Sequence, residues 1–209
     1  MENLIKNNGI GECIQSEVAG MNSGNYLERF RNIAKSIIKD YCILCGKKVY
    51  RFAEIEFYYY NKEVFNEEWN HKTYARDDKA AGDLFFHYSG VDICFDSYYS
   101  QNTFGGILIR SLVETTKKGQ RYITGPLRCV NEILNSCASQ KQWPKIEKTE
   151  SRKCKIGQTN RYGINYKNPE FEDSLCFYDK SIENIFTIAS WDYNKGAAKN
   201  INRYYNRFK

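Results

Sequence analysis

The segment Glu54-Ile55-Glu56-Phe57-Tyr58 holds the most chemistry in the chain. On a strand, alternation sends Glu54, Glu56 and Tyr58 to one face and Ile55 and Phe57 to the other. Two acids and a phenol on one face admit two readings. One is a solvated sheet face. The other is a covered strand, where aromatic neighbours desolvate a carboxylate and raise its pKa toward that of a general base. Arg110 stands inside Gly106-Ile107-Leu108-Ile109-Arg110-Ser111-Leu112. An Arg in so apolar a run must be paired or exposed. Its partner is a carboxylate such as Glu54 or Asp92, or else a bound anion or base. His71, in Trp69-Asn70-His71, reads as a polar-loop residue, and His87 alternates away from Phe86 toward a pocket or a core hydrogen bond. Lys117, Lys118, Arg121 and Arg128 are suited to phosphate contacts or to a solvated basic turn.

Cysteine offers less. The chain has 8 Cys, and only Cys42-Ile43-Leu44-Cys45 has metal or redox spacing. A zinc site wants a second such pair or nearby His, and the two His at 71 and 87 stand apart from every Cys. The expectation is reduced, mostly buried thiols in a cytoplasmic protein, with no metal and no cofactor.

The elements that must position these residues follow from periodicity. Residues 1–24 are rich in Asn, Gly and Ser and read as a loose N-terminal extension. From Asn25, Leu27, Phe30, Ile33, Ala34, Ile37, Ile38 and Tyr41 recur at helical spacing, with charged residues on the other face. Lys48–Tyr60, Leu84–Phe95 and Ile107–Leu112 are strand-like, and so are the shorter runs 161–164 and 174–178. The stretch 61–82 reads as a long polar loop. Gly105-Gly106 and Lys118-Gly119 are turn signals. Pro126 opens a short helix. The sum is α+β: one domain over 25–190 with a curved, mostly antiparallel sheet and peripheral helices, then a basic tail over 191–209.

Length and composition are consistent with that. A chain of 209 residues with 42% hydrophobic and 27% charged residues suits a single globular domain with an enclosed core. No apolar run approaches the ~20 residues of a membrane helix, and the first twenty residues lack the apolar core of a signal peptide. Net charge is +6, which permits a polyanionic partner without requiring one.

Read in order, several of these pieces resemble the alkyladenine (3-methyladenine) DNA glycosylase family. They are Ala53-Glu54-Ile55-Glu56-Phe57-Tyr58, a later His, Gly82-Asp83-Leu84-Phe85-Phe86, Gly90, Gly106–Glu114 and Thr124-Gly125-Pro126-Leu127-Arg128. Arg161-Tyr162-Gly163-Ile164 and Ser174-Leu175-Cys176-Phe177-Tyr178 extend the resemblance toward residue 180. It implies a fold similar to the C-terminal domain of methionyl-tRNA formyltransferase. It also implies an enzyme, expected as a monomer, that flips a damaged purine out of double-stranded DNA and hydrolyses its N-glycosidic bond. Glu56 would then activate water. Tyr58 and Phe86 would stack on the base, with His71 and Arg110 as further contacts; His87, without a counterpart in the family, is a candidate contact of this chain's own. The chain departs from the family in three respects: Tyr88-Ser89 precede Gly90 where the family has its wedge Tyr, Asp96 replaces a base-discriminating Asn, and His87 and Asp92 have no counterpart. A binding module without the reaction, or a hydrolase for another substrate, are the alternatives.

Overall fold

The computed structural model describes residues 9–65, 79–97, 103–161 and 175–182. Three α-helices and a curled, half-barrel antiparallel sheet make up these residues. The helices are α1 (Gly9–Ala19), α2 (Tyr26–Asp40) and α3 (Pro126–Gln140). The strands are β1 (Tyr41–Cys45), β2 (Lys48–Asn61), β3 (Leu84–His87), β4 (Gly90–Cys94), β5 (Thr103–Thr116), β6 (Gly119–Thr124), β7 (Lys145–Lys148), β8 (Ile156–Thr159) and β9 (Cys176–Asp179).

Two long strands organise the sheet. β2 and β5 are each 14 residues long and pair antiparallel along almost their whole length. Aromatic and β-branched residues favour such extended backbone, and burial on both faces explains the near-continuous apolar run in β5. The outer edge of β2 takes β1 at its start and β9 further on. The outer edge of β5 takes β4 near its start and β6 at its end. Strand partners thus change along each central strand, as a strongly twisted sheet requires.

The core lies where α2 meets the odd-numbered side of β2. Phe30, Ile33, Ala34, Ile37 and Ile38 form the buried stripe of α2, at the helical spacing of the sequence. The Phe30 ring sits 4.8 Å from Phe57 and 5.9 Å from Tyr59. Phe95 completes this aromatic group, 4.8 Å from Tyr59. Each fully buried side chain of this kind contributes roughly 1.5–3 kcal/mol by desolvation. Burial of this apolar side holds the register of β2, because a one-residue slip would turn Phe57 and Tyr59 out of the core.

Several expectations change. Residues 1–24 are not uniformly loose: Gly9–Ala19 is helical, and Ile10 and Ile14, one turn apart, are fully buried. Leu84–Phe95 is not one strand but the β3–β4 hairpin. Gly105-Gly106 is not a turn. It lies inside β5, where a Cβ on Gly105 would stand 2.4 Å from the Tyr58 carbonyl oxygen, so glycine is needed for close backbone approach. Lys118-Gly119 does turn the chain, between β5 and β6. Pro126 opens a helix of 15 residues, longer than expected, behind Gly125 at φ +96°. The polar residues 145–148 and 156–159 also form strands, β7 and β8. Residues 162–164 and the basic tail lie outside the described residues.

Candidate functional site

One row of side chains crosses the sheet. Cys176 on β9 pairs with Glu56 on β2. Glu56 pairs with Leu108 on β5, Leu108 with Asp92 on β4, and Asp92 with Phe85 on β3. Directly paired residues project to the same face, so two carboxylates, a thiol and an aromatic ring line one stripe. Arg110 and Tyr58 stand two residues along their strands from Leu108 and Glu56, and His87 two from Phe85. Period-two alternation adds them to this face.

Glu56 is 1% exposed, and two side chains hold it. The Tyr58 hydroxyl donates to Oε2 at 3.0 Å, and Arg110 Nη1 donates to Oε1 at 3.0 Å. Arg110 Nε lies 3.6 Å from Oε1 of Glu54. Glu54 also accepts from Ser111 Oγ at 2.8 Å and from Cys176 Sγ at 3.5 Å. The β2–β5 ladder is irregular at this point, with Glu54 opposite Ser111 and Ile55 opposite Ile109. Such irregularities re-aim side chains. The Arg161 guanidinium covers the Tyr58 ring at 4.8 Å and donates from Nη1 to the Phe57 carbonyl at 3.0 Å.

Burial sets the electrostatics. Desolvation raises the pKa of Glu54, Arg110 opposes it, and the Glu56 charge adds to it. Desolvation, then the Glu56 charge, holds Asp92 well above the usual carboxylate range. For Arg110, burial works against the guanidinium charge, but Glu56 and Glu54 outweigh it and raise its pKa. Tyr58 is pushed well above the usual phenol value by burial and then by Glu56. Cys176 rises likewise, by burial and then Glu54 and Glu56, which leaves a thiol rather than a nucleophilic thiolate.

The expected site residues divide. Glu56, Tyr58, His87 and Arg110 come together on the acid face. His71 lies outside the described residues. Phe86 does not join them. It pairs with Val91, on the opposite face, and packs against the main core. The alternation that separates His87 from Phe86 already excludes both from one face, and Phe85 is the ring on the acid face. The Phe85 and His87 rings are 5.8 Å apart and nearly parallel. Asp96 turns away as well, accepting from the Ala81 amide and from Gln15 on α1, each at 2.8 Å. Sequence reasoning missed Phe85, Ser111, Cys176 and Arg161 as site neighbours. Only cross-strand register brings them in, and register between strands distant in sequence carries no local signal.

The basic residues also divide. Lys117 and Lys118 are exposed at the β5–β6 turn, beside an open groove of about 680 Å³ lined by residues 116 to 122. Arg121 is engaged by carboxylates, at 2.6 Å from Glu114 and 2.5 Å from Glu132. Arg128 is half-buried near the start of α3. All eight cysteines are free thiols, six of them buried, Cys42 and Cys45 included. No group of three or more metal-ligating side chains occurs among the described residues. No described helix is long and apolar enough to cross a membrane.

No protein-family model matches the chain, and no curated protein matches its sequence.

Proposed function

We propose that this protein is a DNA glycosylase-like hydrolase that removes a modified purine from duplex DNA, with Glu56 as the base that activates water. The observation that supports this reading is the Glu56 carboxylate on a sheet row, oriented by the Tyr58 hydroxyl and by Arg110, each at 3.0 Å. Water is a weak nucleophile, and a fixed carboxylate both takes its proton and stabilises positive charge developing on the sugar. The C1′–N bond breaks with its electron pair going to the base. The water oxygen bonds C1′ and its proton passes to Glu56. Tyr58 and Phe85 supply aromatic faces for an extruded base, each contributing ~1–3 kcal/mol of stacking. Unstacking the base from the duplex costs a few kcal/mol, which that stacking offsets. Tyr88, at the β3–β4 turn beside His87 and 86% exposed, fills the gap left in the duplex on this reading. The exposed Lys117 and Lys118 provide phosphate contacts.

The test is single-turnover base release from duplexes holding hypoxanthine, ethenoadenine or 3-methyladenine. The wild type should release base, Glu56→Gln should not, and both should bind DNA. Equal release by the two proteins contradicts the assignment.

A second reading is a nucleic-acid-binding module without the reaction. The pairing of Glu56 with Arg110 favours it, because an ion pair is a structural use of a buried acid. It expects binding that weakens as salt rises, and no released base from any protein.

A further inference from the structure

We infer that Arg161 is a specificity-determining residue: its guanidinium, laid against the Tyr58 ring, disfavours cationic alkylpurines relative to neutral modified purines. This rests on the hydrolase reading above, in which Tyr58 stacks on the extruded base.

The placement starts from the backbone. β9 pairs with β2 from Glu54 to Glu56, and the Phe57 amide then donates to the Leu175 carbonyl at 2.9 Å. The Phe57 carbonyl takes a side chain instead of a strand neighbour. Arg161, two residues past the end of β8, donates to it from Nη1 at 3.0 Å. β8 pairs with β9, so the sheet itself carries Arg161 to this edge of β2. At 2% exposure and anchored in this way, the guanidinium is a fixed cation rather than a swinging surface one.

From that anchor the Arg161 Cζ lies 4.8 Å from the centroid of the Tyr58 ring. This is inside the ~6 Å over which a cation draws on the π density of an aromatic face. Arg161 therefore takes the flank of Tyr58 on the β9 side. On the β5 side Tyr58 pairs with Gly106, which has no side chain to lay against the ring. A base stacked on the face turned from Arg161 has the phenol ring between itself and the guanidinium.

Two effects then act on a cationic base. The guanidinium already draws on the π density of the ring, which weakens a second cation–π contact. The two cations also repel, in a buried site where water screens little. Neither effect acts on a neutral base, which stacks through dispersion and apolar area. Glu56 attracts a cationic base, and its pairing with Arg110 at 3.0 Å tempers that attraction. Arg161 opposes it further. Arg161 reaches the base only through Tyr58, so it positions and polarises the stacking ring and takes no part in bond breaking.

Hypoxanthine is neutral in the nucleotide, and 3-methyladenine is cationic. The experiment is single-turnover release of both bases at subsaturating protein, so that the rate reports binding and chemistry together. Wild type, Arg161→Gln, Arg161→Met and Arg161→Lys are compared, with thermal unfolding of each. Arg161→Gln keeps an N–H donor for the Phe57 carbonyl and removes the charge. It should raise the ratio of 3-methyladenine to hypoxanthine release by about tenfold. Arg161→Met keeps an apolar stem beside the ring, should shift the ratio the same way, and carries the test if Arg161→Gln fails to fold. Arg161→Lys keeps a cation and should hold the wild-type ratio within about twofold, even where both rates fall. Equal changes on both bases, or a shift in Arg161→Lys as large as in the uncharged variants, overturn the role of the charge and leave the hydrolase reading intact. Release of neither base by the wild type overturns the hydrolase reading, and this inference with it.

Discussion

Strand β5 joins two ion clusters, one around Arg110 and one around Glu114. The second is matched and wet. Arg121 and Lys48 face Glu114 and Glu132, with Lys48 3.1 Å from Glu132. The Arg121 side chain is 45% exposed. Burial of Glu132 works against its charge, but Arg121, Tyr50 and Lys48 outweigh it and take its pKa down to about 2. The first cluster is mismatched and dry. One guanidinium, 7% exposed as a residue, faces two carboxylates that are almost fully buried. There the Glu54 pKa moves up instead, and so does that of Asp92 in the same row. The same residue types give opposite behaviour because solvent and charge balance differ. A matched surface network lowers the pKa of its acid, whereas burial beside an uncompensated carboxylate raises it.

The contrast breaks most visibly at its central cation. Arg110→Met leaves Glu54 and Glu56 buried without a counter-charge, and we expect a loss of about 3–5 kcal/mol in chemical denaturation. A loss no greater than that of Arg121→Met would remove the distinction between the clusters.

The next effect is on pH dependence. The folded-state pKa of Glu132 is depressed from 4.5 to about 2, so its contribution is present above the unfolded value and lost as pH falls between them. The contribution is ~2 kcal/mol after allowance for partial exposure. Glu132→Gln should therefore flatten the acid limb of a stability–pH curve. A curve parallel to wild type between about pH 5 and pH 2 contradicts it.

Asp92 has the opposite sign. Its folded-state pKa is raised, so the folded protein binds more protons than the unfolded chain above the ordinary carboxylate range, and stability falls as pH rises there. Asp92→Asn should remove that fall, so that its stability relative to wild type improves as pH rises above the ordinary carboxylate range. A variant that loses stability in parallel with wild type over this window sinks the claim that Asp92 is held protonated.

The smallest effect belongs to the exposed cation. Arg121→Ala should cost about 1 kcal/mol at low salt, and less as ionic strength rises and screens the network. Salt-independent loss would mean that Arg121 acts through packing rather than charge.

How far these clusters were legible in the sequence follows from the range of the signals. The stripe of α2 and the alternation of Glu54, Glu56 and Tyr58 are local patterns, and both elements stand where periodicity puts them. The α+β class with a curved antiparallel sheet followed from them. Helix α1 was hidden because only Ile10 and Ile14 mark its buried face among Gly and polar residues. The Gly105-Gly106 pair misled because glycine serves close strand approach as well as turns. Strand β7 was unreadable because it is short, polar and largely exposed. Of the site, Glu56, Tyr58 and Arg110 were visible one by one. That Arg110 lies between two acids, and that Phe85 rather than Phe86 lines their face, depends on pairing between residues tens of positions apart.

The central claim is that Glu56 is the reacting base of this face. The direct measurement is single-turnover release of hypoxanthine and 3-methyladenine by wild type and Glu56→Gln, with DNA binding and thermal unfolding measured in parallel. The account predicts release by the wild type, a loss of at least about 10³-fold in the variant, and near-equal DNA affinity and folding. Base release by a folded Glu56→Gln at the wild-type rate would contradict it.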